Sequence, residues 1–307
     1  MITSVKQYES FDLVRLLKNV FVPITGSRVA FLIDLDDPTQ IKDFAFLKDP
    51  AWPIQHRAHE HFYQAFHNGG AEALEASGGE MFAYKVTGGS NLDMPDEAWT
   101  PEGKQVSLSA DVYANYDLIL AITSYSATAP LTAHAKHFGF RGATLHGLND
   151  IILASGLSVD YNDVSSEAEK LRLGYSGADW AELDFVVAGN THTLRLILNG
   201  QDAQKSHGLC HGTAPDVANL PAGEVYFVPE GAEGEFPMKY EADGTLAIQK
   251  VTGGRIVDVT LVEGNPDTVA AHKAKLASDP VTGEIGELGF GTQELPFCDS
   301  DIQDEKR

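Results

Sequence analysis

The chain has 307 residues, 43% of them hydrophobic, which is enough to bury a substantial core in one large or two ordinary domains. Its 22 basic and 44 acidic residues give a formal charge of -22, with no local basic cluster, so phosphate backbones and anionic membranes are excluded as expected partners. No apolar run spans a bilayer, the first residues lack the basic-then-apolar order of a secretory signal, and Cys210 and Cys298 form neither a disulfide scaffold nor a CxxC knuckle. A reduced, cytoplasmic protein is expected.

The first apolar run, Arg28-Val29-Ala30-Phe31-Leu32-Ile33-Asp34, reads as a buried strand that ends in the acidic loop Asp34-Leu35-Asp36-Asp37. A helix is expected over about Ile54 to His67, followed by strands at Met81 to Val86 and Tyr116 to Ile122. Thr123-Ser124-Tyr125-Ser126 offers hydroxyl caps for a helix through Ala127 to Phe138, which Gly139-Phe140-Arg141-Gly142 stops. The same hydroxyls stand where an open α/β sheet binds ligands, but capping is the commoner use of such residues. A further helix, Val164 to Leu173, follows Asp160-Tyr161-Asn162-Asp163, and Gly174 to Gly177 closes this half.

Beyond residue 177 the pattern changes to short strands: Ala181 to Val187, Thr193 to Leu198, Glu224 to Val228, Thr245 to Gln249 and Arg255 to Val262. Ala188-Gly189-Asn190 and Asn199-Gly200 carry turn chemistry, and one helix is expected at about Pro266 to Leu276. The expected architecture is therefore an α/β domain with a mainly parallel sheet over 1–177 and a β-rich, α+β domain over 178–307.

Several enzyme classes lack their signatures: there is no Gly-x-Ser-x-Gly elbow, no phosphate-binding loop with Lys and Ser/Thr, and no dinucleotide fingerprint. His56-Arg57-Ala58-His59-Glu60-His61 looks like a metal motif, yet on a regular helix His59 and His61 point about 200° apart, so a solvated helix face is expected. His207-Gly208-Leu209-Cys210-His211 groups residue types that zinc accepts, at a spacing that matches no closed site. His207 and His211 are secondary candidates as metal ligands or as a substrate-contacting loop.

Two carboxylates stand out. Glu224 opens the apolar strand after Asn219-Leu220-Pro221-Ala222-Gly223, and Glu287 interrupts the run Gly283-Glu284-Ile285-Gly286-Glu287-Leu288-Gly289-Phe290-Gly291. A carboxylate at the mouth of an apolar strand must face water or hold something positive, and a shared cation or two solvated edge residues both satisfy that rule.

The Asn-Leu-Pro-Ala-Gly-Glu-Val motif at 219–225 resembles the thermophilic metalloprotease family that includes aminopeptidase T, in which such a strand carries a metal-binding glutamate. Gly286-Glu287-Leu288-Gly289 resembles the family's later Leu-Gly-Glu-Val strand. The resemblance implies that Glu224 and Glu287 ligate a divalent metal, zinc, cobalt, manganese or magnesium, in a homodimeric aminopeptidase acting on the N-termini of small peptides. The family continues into a His-bearing strand and a His-x-Asp motif, whereas this sequence stops at Ser300-Asp301-Ile302-Gln303-Asp304-Glu305-Lys306-Arg307; the expectation is a form lacking that end. The same resemblance extends to an iron(II)-dependent dioxygenase that opens dihydroxypyridine rings. A third expectation is a binding protein that kept the fold and lost the site.

Overall fold

The computed structural model describes residues 8–240 and 242–307. The amino-terminal stretch weighed above as a signal lies, up to Gln7, outside them. By its internal contacts the chain forms two units: the first takes residues 1–169, 206–224 and 290–307, and the second takes 170–205 and 225–289.

Numbered along the chain, the strands are β1 (Arg28–Leu35), β2 (Gly78–Lys85), β3 (Glu97–Trp99), β4 (Gln105–Ser107), β5 (Leu118–Ala121), β6 (Arg141–Thr144), β7 (Trp180–Val187), β8 (Asn190–Ile197), β9 (Gln204–Ser206), β10 (Asp216–Asn219), β11 (Glu224–Phe227), β12 (Gly231–Lys239), β13 (Leu246–Thr252), β14 (Arg255–Glu263) and β15 (Leu288–Gly291). The first unit is built on a sheet of order β10-β6-β5-β1-β2-β3-β4. Its five strands from β10 to β2 run parallel, and β3 and β4 add an antiparallel edge. In β1 every residue after Arg28 is buried. Val29, Phe31, Ile33 and Leu35 enter one apolar cluster while Ala30 and Leu32 enter another, so both faces of the sheet are covered.

Helix α1 (Leu13–Val20) buries Leu13, Leu16, Leu17 and Val20 at helical spacing on the first cluster and starts at Asp12, whose carboxylate accepts the Arg15 N–H. On the opposite face α4 (Thr128–Phe138) buries Leu131 and Ala135 and ends at Gly139, whose φ of 90° is the left-handed cap. The regular helix expected from Ile54 to His67 is shorter: α2 (Pro53–Arg57) gives way to wider π-helical turns over Ala58–Gln64 and Phe66–Gly70, then to the single turn α3 (Ala71–Ala73). Arg141-Gly142, read as part of a helix stop, is the start of β6. Gly142 is required there, because a Cβ would stand 2.7 Å from the Ile119 carbonyl oxygen on β5. After β6 come α5 (Asp150–Ala154) and α6 (Tyr161–Tyr175).

The second unit carries an antiparallel sheet of order β14-β13-β12-β8-β7. β7 and β8 meet through Ala188 and Gly189, with φ of 49° and 83°, the two left-handed residues that a tight hairpin of this hand requires. α7 (Pro266–Ser278) lays Val269 on Ala247 and Val259. β9, β11 and β15 form a small third sheet of order β15-β11-β9.

A single division near residue 177 therefore gives way to an interleaved one. The first cut falls inside α6, and the chain returns because β10 hydrogen-bonds beside β6 in the first sheet and α8 (Asp301–Asp304) docks on the first unit through Gln303. The Gln303 side-chain oxygen accepts from the Gly156 N–H and the Ser155 hydroxyl, each at 3.2 Å.

Candidate functional site

Glu224 belongs to the first unit, and its approach is tightly built. The Leu220 N–H donates to the Thr144 carbonyl at 2.9 Å, which keeps the chain beside β6 as it leaves β10. Gly223 donates to the Ser206 carbonyl and accepts from the Thr292 N–H, at 2.9 and 3.0 Å. Its φ is 123°, and a Cβ would meet the Gln293 side-chain nitrogen at 2.6 Å, so only glycine lets the two segments close. Glu224 then enters the interior, 7% exposed, where the Lys306 ammonium donates to Oε2 at 2.5 Å. Lys306 is itself 1% exposed and donates also to Glu305 Oε1 at 2.6 Å. Burial alone would push the Lys306 ammonium toward losing its proton, but Glu224 and Glu305 outweigh it, and the pKa is raised. Glu305 keeps its side chain about half exposed.

The other sequence candidates stand in different surroundings. Glu287 is exposed and falls in the second unit, just ahead of β15. His211 is exposed, with Nε2 2.9 Å from the Asn19 carbonyl oxygen at the end of α1, and His207 is half-buried between β9 and β10. Between them Cys210 is buried, its N–H on the Val20 carbonyl and its carbonyl on Arg141 Nη1, and burial pushes its thiol up to about 12. A protonated thiol is a poor metal ligand. This loop serves to fasten the end of α1 to β6.

His59, expected on a solvated face, is 6% exposed and packs on Phe44 and Tyr63 with ring centroids 4.6 and 5.8 Å away. Its pKa is lowered, chiefly by that burial. The π-helical turns alter the angular spacing on which the solvated reading relied.

The donor set can be tested against a divalent metal directly. Among the described residues no three His, Cys, Asp or Glu side chains come together in a group that could hold an ion. Glu224, the best placed carboxylate, already faces an ammonium. The residues present do not fit the implied metal.

A second polar constellation lies at the carboxyl ends of the parallel strands. The chain passes from β1 to β2 on one side and takes up β5 on the other, so the strand order reverses between β1 and β5, where open α/β sheets receive ligands. Asp34, 1% exposed at the end of β1, accepts from the Ser124 N–H at 2.9 Å, the Ser124 hydroxyl at 3.1 Å and the Gln55 amide at 2.6 Å. Desolvation raises its pKa even though each of these bonds pulls the other way. Of the hydroxyls expected to cap α4, that of Ser124 is spent on the strand end and that of Thr123 on the Tyr125 carbonyl. Ser126 alone reaches the helix, accepting the Thr128 N–H at a long 3.4 Å. Next to them, Thr128 and Thr144 hydroxyls lie 2.8 Å apart, and Thr144 donates to the Asn219 side chain at 3.0 Å, tying β6, β10 and α4 together.

From this edge α5 leads to a cavity of about 540 Å³ lined by Ile151, Ala154, Leu295 and Pro296, with Tyr8, Asp150, Ser155 and Glu294 as its polar members. Sequence reasoning missed this cavity because 294–296 joins α5 across a long stretch of chain. Lys306 was missed too, although a lysine beside Glu305 gave a signal that the last residues carry both signs of charge.

The solved structure of 2,5-dihydroxypyridine dioxygenase from Pseudomonas putida KT2440 matches with a TM-score of 0.59 at 14% identity, over 92% of this chain and 75% of that chain. At that identity the likeness shows the fold alone. No family model matches the chain, and no curated protein matches it in sequence.

Proposed function

We propose that this protein binds a small organic amine with an apolar body, in the cavity between α5 and the segment 294–296. The observation that carries the reading is the cavity's make-up: apolar walls from Ile151, Ala154, Leu295 and Pro296, with the acidic Glu294 among its lining residues, while Asp150 also lines it but is engaged by the Arg57 guanidinium. An apolar pocket with a carboxylate among its few polar groups favours a ligand with an apolar body and a cationic head. The overall charge of -22 favours the encounter with a cation as well. Within this reading the Asp34 network holds the carboxyl edge of the sheet rigid, and α5 rises from that edge.

The peptidase and ring-cleaving readings both call for a metal, and a shared fold does not transfer chemistry from one protein to another. Each has a direct assay, namely release of N-terminal residues from short peptides with zinc, cobalt or manganese, and oxygen uptake with 2,5-dihydroxypyridine and iron(II). Turnover lost in Glu224→Gln would replace the binding reading with one of these.

The binding reading is tested by thermal melting with a panel of alkyl and aryl amines beside their alcohol and carboxylate counterparts. Native-state binding raises the melting temperature with ligand concentration. The amines are expected to raise it in the native protein and to have no effect in Ala154→Trp, which fills the cavity from an exposed helix position. An equal response to the carboxylates, or an Ala154→Trp protein that still responds, would sink the proposal.

A further inference from the structure

We infer that Lys306 is the built-in cation of the Glu224 site: its ammonium holds the point between two carboxylates that a divalent ion would otherwise occupy. This inference is independent of the amine cavity, because Lys306 and Glu224 are not among that cavity's lining residues.

Three observations support it. Glu224 Oε2 and Glu305 Oε1 converge on one nitrogen atom, at 2.5 and 2.6 Å, and those separations match calcium–oxygen distances of roughly 2.3–2.6 Å. The Lys306 side chain is 2% exposed, so the ammonium has given up water for these partners instead of reaching out to solvent. The carboxylates hold the proton on it, as the raised pKa shows. The positions of both partners are fixed: Glu224 by the Gly223 contacts, and Lys306 by its carbonyl, which accepts the Gln293 N–H at 2.9 Å. Gly291 completes the fit, because a Cβ there would collide with the Arg307 backbone at 2.1 Å, so this strand residue must be glycine for the final residues to lie against it.

The consequence is a cation seat that is closed in the native chain and opens when the lysine is removed. The test is thermal melting of the full chain with calcium or manganese. The native protein is expected to show no Glu224-dependent rise, and Lys306→Ala a melting temperature that climbs with the logarithm of cation concentration. The rise should vanish in Glu224→Gln/Lys306→Ala. A Glu224-dependent rise in the native protein would overturn the inference, since the ammonium would then yield to metal. So would a folded Lys306→Ala protein indifferent to both ions.

Should Lys306→Ala fail to fold with or without cations, the doubly neutral Glu224→Gln/Lys306→Met decides. Folding of the double variant supports the lysine as Glu224's counter-charge. Failure of both traces the loss to packing and overturns the inference.

Discussion

Two buried carboxylates in the first unit solve the same problem in opposite ways. Asp34 at the end of β1 is surrounded by neutral donors, an N–H, a hydroxyl and an amide. Glu224 at the start of β11 faces an ammonium. The difference is visible in the direction of the shifts: desolvation wins at Asp34 and raises its pKa, whereas at the Glu224 pair the carboxylates win and Lys306 holds its proton more tightly. Neutral donors fix a position, and a buried ion pair fixes a partner. Asp34 can therefore serve as framework at the carboxyl edge, while Glu224 is committed to the segment that carries Lys306.

The largest expected effect breaks the second arrangement. Lys306→Met leaves Glu224 buried without a counter-charge, and removing one member of a buried pair costs about 3–5 kcal/mol. The urea midpoint should fall accordingly, and Glu224→Gln/Lys306→Met should regain most of the loss, because no charge then remains to be desolvated. A single Lys306→Met that melts like the native protein would show that the pair adds nothing. Next in size is Asp34→Ala, which removes the acceptor for Ser124 and Gln55 together. Leaving buried donors unsatisfied costs about 1–3 kcal/mol per group, so a loss of that order is expected in the same urea experiment.

Acid and base sharpen the comparison, because the two sites respond at opposite ends of the pH scale. The folded Lys306 pKa lies above the unfolded value of about 10.4, so its contribution is complete below that value and is lost as pH rises through the folded pKa. The folded Asp34 pKa also lies above its unfolded value, of about 3.9, but for a carboxylate this means that the ionised form is penalised in the fold. The penalty is complete above the folded pKa and disappears as pH falls below about 3.9. Measured against Asp34→Asn, the native protein should gain relative stability on acidification through that window. Measured against Glu224→Gln/Lys306→Met, it should lose relative stability in strong alkali. A pH-independent difference in either comparison contradicts the corresponding shift.

Both carboxylates had been visible in the sequence, but their surroundings had not. Arg28 to Asp34 read correctly as a buried strand because its apolar run is continuous, and the mixed α/β architecture with a largely parallel sheet followed from such runs. Asp34 was grouped with Asp36 and Asp37 as loop acidity, yet its place in the alternation sets it with Ala30 and Leu32 on a covered face, while Asp36 and Asp37 are exposed. β10 escaped notice because four residues carry almost no periodicity, and its pairing with β6 depends on contacts far apart in the chain. The Asn-Leu-Pro-Ala-Gly-Glu motif did mark an unusual local geometry, which Gly223 confirms, but the partner of Glu224 lies 82 residues further on and leaves no trace in local pattern.

The smallest effect supplies the control. Arg57 and Asp150 form a two-pronged ion pair, with Nε on Oδ1 at 2.6 Å and Nη2 on Oδ2 at 3.0 Å, and its geometry looks as strong as that of Lys306 and Glu224. Asp150, however, is 80% exposed, so water and salt screen the attraction and little desolvation is at stake. Arg57→Ala is expected to cost only roughly 0.2–1 kcal/mol, and less in high salt. Lys306→Met should be far less sensitive to salt, because its pair is shielded from counterions. If the two variants lost similar stability with similar salt dependence, burial would not be what separates a committed carboxylate from a decorative one, and the contrast between Asp34 and Glu224 would have to be sought in hydrogen-bond number alone.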